Sequence, residues 1–363
     1  MSHIEQRVVD ADDLKGFCVS VLKRLRVPND EAEITADILV AADLRGLESH
    51  GVSRLPRYVK RLMNGWVRPD AKLTIKRETP VTLHLNGENS IGQVAAYKAM
   101  EQCIRKAKKS GIAFAAVTNS NHFGIAGYYA MMALRNDMIG LAMSNAWPLV
   151  VPTFGAAPIL GTNPIAVAVP ADEHPFVLDM STSVVPIGKM EVYQRHNRPV
   201  PVGWAIDEKG RPAHDSETVM RCVYQTKRGG LLPLGGFEET AGYKGYGLAL
   251  LVDILSGALP GAACGPHVGG PLDPRPSNIG HFLGAVDVDA FTPVGEFKER
   301  VDLMIKEIKA SPKAEGQDRI YIHGDKEREL EEQRRRTGVP LYFKVWKDLQ
   351  GIADQLNLES PLK

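Results

Sequence analysis

The order of apolar and polar residues between positions 112 and 146 is the feature that most restricts the fold of this chain. Two runs of strand length, IAFAAVTNS and MIGLAMSNA, begin apolar and end polar, and the amphipathic run GYYAMMALRND lies between them. Such runs predict two buried strands joined by a helix. The pattern indicates an α/β sheet with ligand-binding groups after the strands, at Asn119 to His122 and at Ser144 and Asn145.

The flanking segments predict further helices and strands. Apolar residues recur every three or four positions from Asp12 to Arg26 and from Asn29 to Leu44, which predicts an N-terminal helical layer. Helices are also predicted for QVAAYKAMEQCIRKAKKSG, LALLVDILSGAL and EFKERVDLMIKEIKAS. Strands are predicted for PVTLHLNG, NPIAVAVP, PFVLDMSTS and AVDVDAF, and a hairpin for GWAIDEKGRP with its turn at Glu208 to Gly210.

Composition and charge restrict the functional class. The 363 residues are 44% hydrophobic and carry a formal net charge of +1, so one large core or two moderate ones are expected and no overall field favours nucleic acid or anionic membranes. No apolar run suits a signal peptide or a membrane span, which favours the cytoplasm. The four cysteines form no CxxC pair and are expected to be buried thiols.

The stretch GLESHGVSRLPRY contains the first candidate catalytic residues. If a helix continues through it, His50 and Arg54 share one face and Tyr58 lies one turn further. Recognition of a 2-oxo acid needs a fixed cation for the carboxylate and a proton donor that titrates near neutrality, which arginine and histidine supply. The same sequence is also expected if a helix ends at His50 and Arg54 is a surface cation. The active-site interpretation and this structural one both remain open at this point.

Three further candidates are equally open from the residues alone. His122 follows a strand and is either an active-site imidazole or an ordinary loop residue. Asp179, with the hydroxyls that follow it, suits a ribose or a strand-ending turn. Lys244, at the start of a glycine-rich helix, is either a phosphate-binding residue or a lysine exposed to solvent. Neither a Walker A motif nor a GxGxxG fingerprint is present, so spacing alone does not predict a dinucleotide.

Six motifs, in chain order, resemble those of the malate/L-lactate dehydrogenase family of the type-2 kind. They are RGLESHGVSRLPRY, SNHFGIAGYYA, GTNPIAVAVP, LDMSTS, GKMEVYQRHNRPVPVGWAIDEKGRP and LLPLGGFEETAGYKGYGLALLVDIL. That family also includes sulfolactate, ureidoglycolate and diketogulonate oxidoreductases and imino-acid reductases. Its members bind NAD(P)H on a non-Rossmann fold, which accounts for the missing fingerprint.

The resemblance implies an α/β fold in three parts. These are an N-terminal helical region (residues 1–75) carrying His50 and Arg54, a central mixed-sheet cofactor domain (76–300), and C-terminal helices (301–363) that pack back on the N-terminal region. It also implies a homodimer that uses NAD or NADP and a small 2-oxo or 2-hydroxy acid, without a metal, nucleic acid or membrane.

The resemblance also implies roles for individual residues. His50 and His122 are the catalytic candidates, with His50 favoured as the proton donor, while Arg54 clamps the substrate carboxylate and Tyr58 lies nearby. The residues implied in cofactor binding are Ser144, Leu178, Asp179, Met180, Ser181, Thr182, Ser183, Tyr243, Lys244, His323, Gly324 and Asp325. The last three stand where relatives usually carry Pro-Gly-Glu.

The activity that the resemblance implies is direct hydride transfer between the cofactor and a malate- or lactate-like 2-hydroxy acid. A cyclic imino-acid reductase on the same scaffold is the main competing interpretation. A metal-dependent hydrolase or lyase with His50, His122 and Asp179 as ligands is a third interpretation of these residues, and an inactive binding protein is a fourth.

Overall fold

The computed structural model describes residues 6–359, so the outermost parts of the first and third predicted regions, residues 1–5 and 360–363, lie outside the described residues. Both predicted N-terminal helices are confirmed. Asp10 caps the first of them by accepting the backbone N–H of Asp12 at 2.8 Å. The helices are α1 (Ala11–Arg24), α2 (Asn29–Leu44), α3 (Leu55–Met63), α4 (Gly92–Ser110), α5 (Ala126–Met132), α6 (Ile187–Arg195), α7 (Ser216–Arg221), α8 (Gly242–Asp253), α9 (Val294–Ala310), α10 (Asp325–Thr337) and α11 (Phe343–Leu356).

A seven-stranded mixed sheet forms the centre of the molecule, with the order β2-β3-β4-β10-β5-β6-β7. Two short two-stranded sheets pair β1 with β11 and β8 with β9. The strands are β1 (Gln6–Val9), β2 (Thr74–Glu78), β3 (Thr82–Asn86), β4 (Ile112–Ser120), β5 (Met138–Ser144), β6 (Ile165–Val169), β7 (Phe176–Met180), β8 (Ala205–Ile206), β9 (Gly230–Leu231), β10 (Ile279–Asp287) and β11 (Val339–Tyr342).

The strand β10 lies between the two strands that the sequence identifies most clearly. It pairs antiparallel with β4 on one side and β5 on the other, so β4 and β5 run in the same direction. Their carboxyl ends therefore share one edge of the sheet, where His281 of β10 lies opposite Ser144. The predicted strand at AVDVDAF is wrong in its bounds, since the strand begins at Ile279, and Gly280 and Gly284 conceal its apolar pattern.

The predicted hairpin at GWAIDEKGRP is also only partly correct. The turn is present, with the Gly210 N–H donating to the Asp207 carbonyl at 3.0 Å. However, β8 pairs along its length with β9, through Ala205 and Leu231, and forms only a single bridge to Pro212 after the turn. Pro212 has no backbone N–H to donate, which limits pairing on that side.

The hydrophobic core of the N-terminal helices includes C-terminal residues. Leu14 and Leu39 of α1 and α2 pack in one cluster with Leu341 of β11 and Leu349 of α11. A second cluster fills the space between the sheet and helices α4 and α5 with small side chains, among them many alanines. The division of the chain into three regions stays a prediction.

Candidate functional site

A cavity of about 140 Å³ lies where the N-terminal helices meet the carboxyl edge of β4 and β5. Its walls come from the segment before α3, from α3, from the first turn of α4, and from the residues after the two strands. Among the lining residues are His50, Arg54, Arg57, Tyr58, Gln93, Asn121, His122, Ser144 and Asn145. The fold thus brings together five of the predicted catalytic, substrate-binding and cofactor-binding residues.

His50 lies on a loop, so the condition under which His50 and Arg54 would share one helix face is not met. Helix α2 ends at Leu44, and a 3-10 turn at Val52–Arg54 precedes α3. The buried Asp43 carboxylate accepts the Val52 N–H at 2.7 Å. A Cβ atom on Gly51 would lie 2.0 Å from Asp43 Oδ1, so only glycine permits this approach. The interpretation in which His50 ends a helix is excluded.

The two imidazole rings of His50 and His122 stack against each other, with centroids 5.6 Å apart and planes inclined by 19°. His122 Nδ1 lies 2.8 Å from the Tyr58 hydroxyl and 3.3 Å from the Gly124 N–H. Because the Gly124 N–H can only donate, Nδ1 is an acceptor, and the proton of the neutral ring is assigned to Nε2. Gln93 Nε2 donates to the Tyr58 oxygen at 2.8 Å, which leaves the tyrosine proton for His122.

Both imidazoles are neutral near pH 7. Burial lowers the pKa of His50 to about 3, with further lowering by Arg54 and Arg57. Burial is also the largest cause that lowers the pKa of His122, followed by repulsion from His50 when that ring is protonated and from the Arg54 guanidinium. A neutral imidazole is the form that accepts a proton, so the His50 ring is prepared to take one from a bound hydroxyl group. The acceptor nitrogen of His122 faces Tyr58 and Gly124, so His122 presents only the Nε2 proton to a ligand.

Arg54 is buried beside the two histidines and is 9% exposed, so its interpretation as a surface cation is wrong. Its Nε donates to the Ser49 carbonyl, which orients the guanidinium. Arg57, one helical turn along, is half-buried and interacts with the Tyr224 hydroxyl. Two arginines on one wall allow the cavity to bind anionic groups.

Ser144 lies at the cavity floor and belongs to a buried hydrogen-bonded chain across three strands. Its Oγ is 2.9 Å from His281 Nδ1, and His281 Nε2 is 2.8 Å from Ser120 Oγ. The His281 ring is fully buried and stacks on Phe123 with centroids 4.7 Å apart. The chain fixes the position of the Ser144 hydroxyl relative to the strand ends.

A second cavity of about 240 Å³ contains three other predicted residues, Asp179, His323 and Gly324. The Val177 N–H donates to the His323 carbonyl at 3.0 Å, which joins this late segment to the edge strand β7. Residues close together in the sequence line the two cavities. Residues 45–50 and 124–127 supply lining residues to both of them.

The other predicted cofactor residues lie elsewhere. Asp325 is buried, and its carboxylate accepts the Ile322 N–H and pairs with Lys309 at 2.9 Å, so it lines neither cavity. Thr182 donates from Oγ1 to the Asn163 carbonyl at 3.0 Å. Others that line neither cavity are Leu178, Met180 and Ser181 (half-buried), Ser183 (buried), and Tyr243 and Lys244 (exposed at the start of α8).

Arg57 and Gln93 are among the lining residues of the first cavity that were not identified from the sequence. Arg57 lies on helix α3, three residues after Arg54. This spacing from a candidate substrate-binding cation could have identified Arg57 from the sequence. Gln93 carries no such signal. Gln93 Oε1 and Asn121 Oδ1 are buried without a hydrogen-bond partner, which suits a bound group with N–H donors.

A metal centre would need several ligating side chains at one place, and a membrane protein would need long apolar helices. Within residues 6–359, no group of three or more His, Cys, Asp or Glu side chains is arranged to hold a metal ion. Across the same described part of the chain, no helix combines the length and apolar character that crossing a bilayer requires.

Comparison with known proteins gives one consistent family. The pattern of the malate/L-lactate dehydrogenase family matches residues 9–350. A malate dehydrogenase of Pyrococcus abyssi is 49% identical over 97% of this chain and 95% of its own. A malate/(S)-sulfolactate dehydrogenase of Methanothermus fervidus is 39% identical over 97% of this chain and 99% of its own. The solved structure of malate dehydrogenase from Pyrococcus horikoshii superposes with a TM-score of 0.91 at 45% identity, covering 99% of both chains.

Proposed function

Since this chain belongs to the malate/L-lactate dehydrogenase family, we propose that the cavity with His50 and His122 is where it interconverts a 2-hydroxy acid and its 2-oxo acid. The chain is a hydroxy acid dehydrogenase that uses a nicotinamide cofactor. The observation that carries the assignment of the site is the pair of stacked, buried imidazoles beside the buried Arg54. This set combines proton transfer with carboxylate binding in one enclosed place.

The lining residues fit a nicotinamide cofactor, either NAD or NADP. The unpartnered oxygens of Gln93 and Asn121 would accept the N–H groups of the carboxamide. Asp179, His323 and Gly324 would hold the distant end in the second cavity, to which the segments 45–50 and 124–127 also contribute lining residues. When bound, the cofactor supplies or accepts the hydride at its nicotinamide ring.

The protein's own residues bind the substrate and move the proton. Arg54 holds the carboxylate next to the carbonyl, and His50 gives a proton to the developing oxygen or takes it from the hydroxyl. A bound anion between the arginines offsets the positive charge that lowers the His50 pKa, so substrate binding favours the imidazolium. Tyr58 and Gln93 orient His122 from its Nδ1 side.

The presence of Arg57 favours a substrate with two anionic groups. Arg54 accounts for the carboxylate that every 2-oxo acid carries. Arg57 offers a second cation in the same cavity, and lactate has no group to pair with it. We therefore propose a malate-like dicarboxylate or an equivalent sulfonate in preference to lactate.

We also propose that the protein is a homodimer. Helix α8 and the turn after it expose five large apolar side chains, Leu248, Leu250, Leu251, Ile254 and Leu259, by 36% to 58%. The only exposed charge on α8 is Lys244. A continuous apolar surface of this kind supports association with a second copy.

The test is an assay of NADH and NADPH oxidation by the purified protein with oxaloacetate, sulfopyruvate, pyruvate and a cyclic imino acid. We expect turnover with oxaloacetate or sulfopyruvate and a higher KM for pyruvate. In Arg57→Gln, the advantage of the dianionic substrates should shrink while pyruvate turnover changes little. Turnover with the cyclic imino acid alone would refute the hydroxy acid assignment, and equal KM values in the parent protein would refute the role of Arg57.

A further inference from the structure

One wall of the active-site cavity is a segment that cannot hold itself by regular backbone pairing. Residues 269–277 read GGPLDPRPS, and Gly269, Pro271 and Ser277 line the cavity. The Gly269 N–H donates to the Ser277 carbonyl at 3.0 Å and closes the base of the loop. Its three prolines have no backbone N–H, so the loop has few donors of its own for its carbonyls.

A single buried arginine meets this loop from helix α3. Arg61 is 6% exposed, and its Nη1 donates to the carbonyls of Gly270, Pro271 and Asp273 at 3.4, 3.5 and 3.1 Å. Its Nη2 donates to the Arg275 carbonyl at 3.4 Å. A planar guanidinium presents several N–H groups in one fixed fan, whereas an ammonium group is a point donor.

Arg61 lies on α3 together with Arg57 and Tyr58, while Arg54 immediately precedes this helix. It follows Arg54 by seven residues and Tyr58 by three, so all three are close to one face of the helix. Both of its terminal nitrogens, Nη1 and Nη2, donate to backbone carbonyls of this loop, whereas Arg54 contacts a backbone carbonyl through Nε. Helix α3 therefore supplies Arg57 to the anion-binding wall and also holds the loop that forms another part of the cavity lining.

We propose that Arg61 is a positioning residue of the active site, which clamps the Gly269–Ser277 loop to α3 and so sets the width of the cavity. Arg61 also lines the cavity, and we assign its action to the loop because both of its terminal nitrogens donate to loop carbonyls. The clamp itself is independent of the reaction, while its effect on turnover rests on the proposed function. Loss of the clamp should weaken substrate binding more than it slows the chemical step.

The experiment compares Arg61→Ala and Arg61→Lys with Lys60→Ala, an exposed neighbour on α3, in the full-length protein. Hydrogen-exchange mass spectrometry follows peptides covering residues 268–278, and turnover gives KM and kcat separately. In both Arg61 variants we expect exchange in this loop and the KM for the 2-oxo acid to rise about tenfold, with a smaller change in kcat. Lys60→Ala should match the parent protein.

Chemical rescue separates positioning from general destabilisation. A low, non-denaturing concentration of guanidinium should restore loop protection and KM in Arg61→Ala, because it refills the site between α3 and the carbonyls. Arg61→Lys keeps the charge and much of the volume, so it serves if the alanine variant fails to fold. Unchanged loop exchange in a folded Arg61 variant would overturn the clamp.

Failure of the two proposals can be told apart. Raised loop exchange with unchanged KM would overturn the positioning role, although the clamp would stand. If the parent protein turns over none of the substrates, the proposed function fails, and the exchange measurement still decides whether Arg61 holds the loop.

Discussion

At the scale of single residues, His50 shows how burial and surrounding charge set the protonation state of the proposed proton-transfer group. Burial and two arginines keep its imidazole neutral in the free protein, with a pKa of about 3. The same arginines attract the substrate anion, and their combined effect on the ring is reduced once that anion is bound. The arginines that we propose to bind substrate thus also influence the protonation of His50, although burial is the largest cause of its low pKa.

Replacement of the two histidines tests this assignment. His50→Asn should lower kcat by roughly 10²- to 10⁴-fold, the usual contribution of a general acid or base, with little change in folding. If His122, which is held at Nδ1 by Tyr58, only orients ligands and transfers no proton, His122→Asn should raise KM more than it lowers kcat. Steady-state kinetics in both reaction directions provide the measurement.

The matched control is His84→Asn, a half-buried histidine outside the cavity, which should retain parent activity. Turnover that is unaffected in His50→Asn would transfer the proton-transfer role away from His50. A collapse of kcat in His122→Asn alone would assign that role to His122.

At the scale of elements, the site depends on the alignment of three strands at one edge. Ser120 of β4, His281 of β10 and Ser144 of β5 form a continuous hydrogen-bonded row across that edge. Burial lowers the pKa of His281 to about 3, compared with 6.5 for an ordinary histidine. The row therefore joins the strands through a neutral imidazole.

This lowered pKa predicts a pH dependence of stability. Between about pH 3 and pH 6.5 the unfolded chain binds a proton at His281 that the folded chain does not. The free energy of unfolding should therefore rise with pH across this window and level off above about 6.5. In His281→Gln the slope should decrease by up to about 1.4 kcal/mol per pH unit, measured by urea unfolding at several pH values.

His281→Gln should also be less stable at pH 7.5, by about 1–3 kcal/mol, because two buried serine hydroxyls lose their partner. Replacement of the exposed His174 by Gln provides the control and should keep the parent slope. An unchanged slope in His281→Gln would show that His281 is protonated to the same extent in the folded and unfolded states.

Local patterns in the sequence predicted the elements on which the site is built, but long-range pairing was not accessible to them. The strands β4 and β5 and helix α4 follow from runs of neighbouring residues, and all three are confirmed. The position of β10 between the two strands depends on partners more than a hundred residues away. The same reason hides Gln93 and Arg61, since each acts through residues distant in the chain.

At the scale of the whole molecule, the N-terminal and C-terminal parts together hold the loop that carries His50. Helix α10 provides Arg334, which donates to the Asp43 carbonyl and to Glu48 at 2.8 Å. It also provides Glu331, which pairs with Arg45 at 2.9 Å. The loop that carries His50 is thus braced on one side by α10 and on the other by α3, which explains how a non-helical segment keeps a buried imidazole in place.

The proposed homodimer is tested by placing a charge on the exposed apolar surface of α8. Leu251 is 45% exposed in a single chain, and burial against a second copy would remove it from water. A glutamate at that position would bring an unpaired charge into the contact, which is strongly unfavourable. In Leu251→Glu we expect sedimentation velocity to give the mass of a single chain, where the parent protein gives twice that mass.

Leu303→Glu is the matched control, because Leu303 on α9 is 56% exposed but lies among the exposed charges Glu299, Arg300 and Lys306. Such a surface is compatible with water, so this variant should sediment as the parent protein does. Dissociation by Leu303→Glu and not by Leu251→Glu would move the contact from α8 to α9. A parent protein that sediments as a single chain would refute the dimer, and the apolar surface of α8 would then require another occupant.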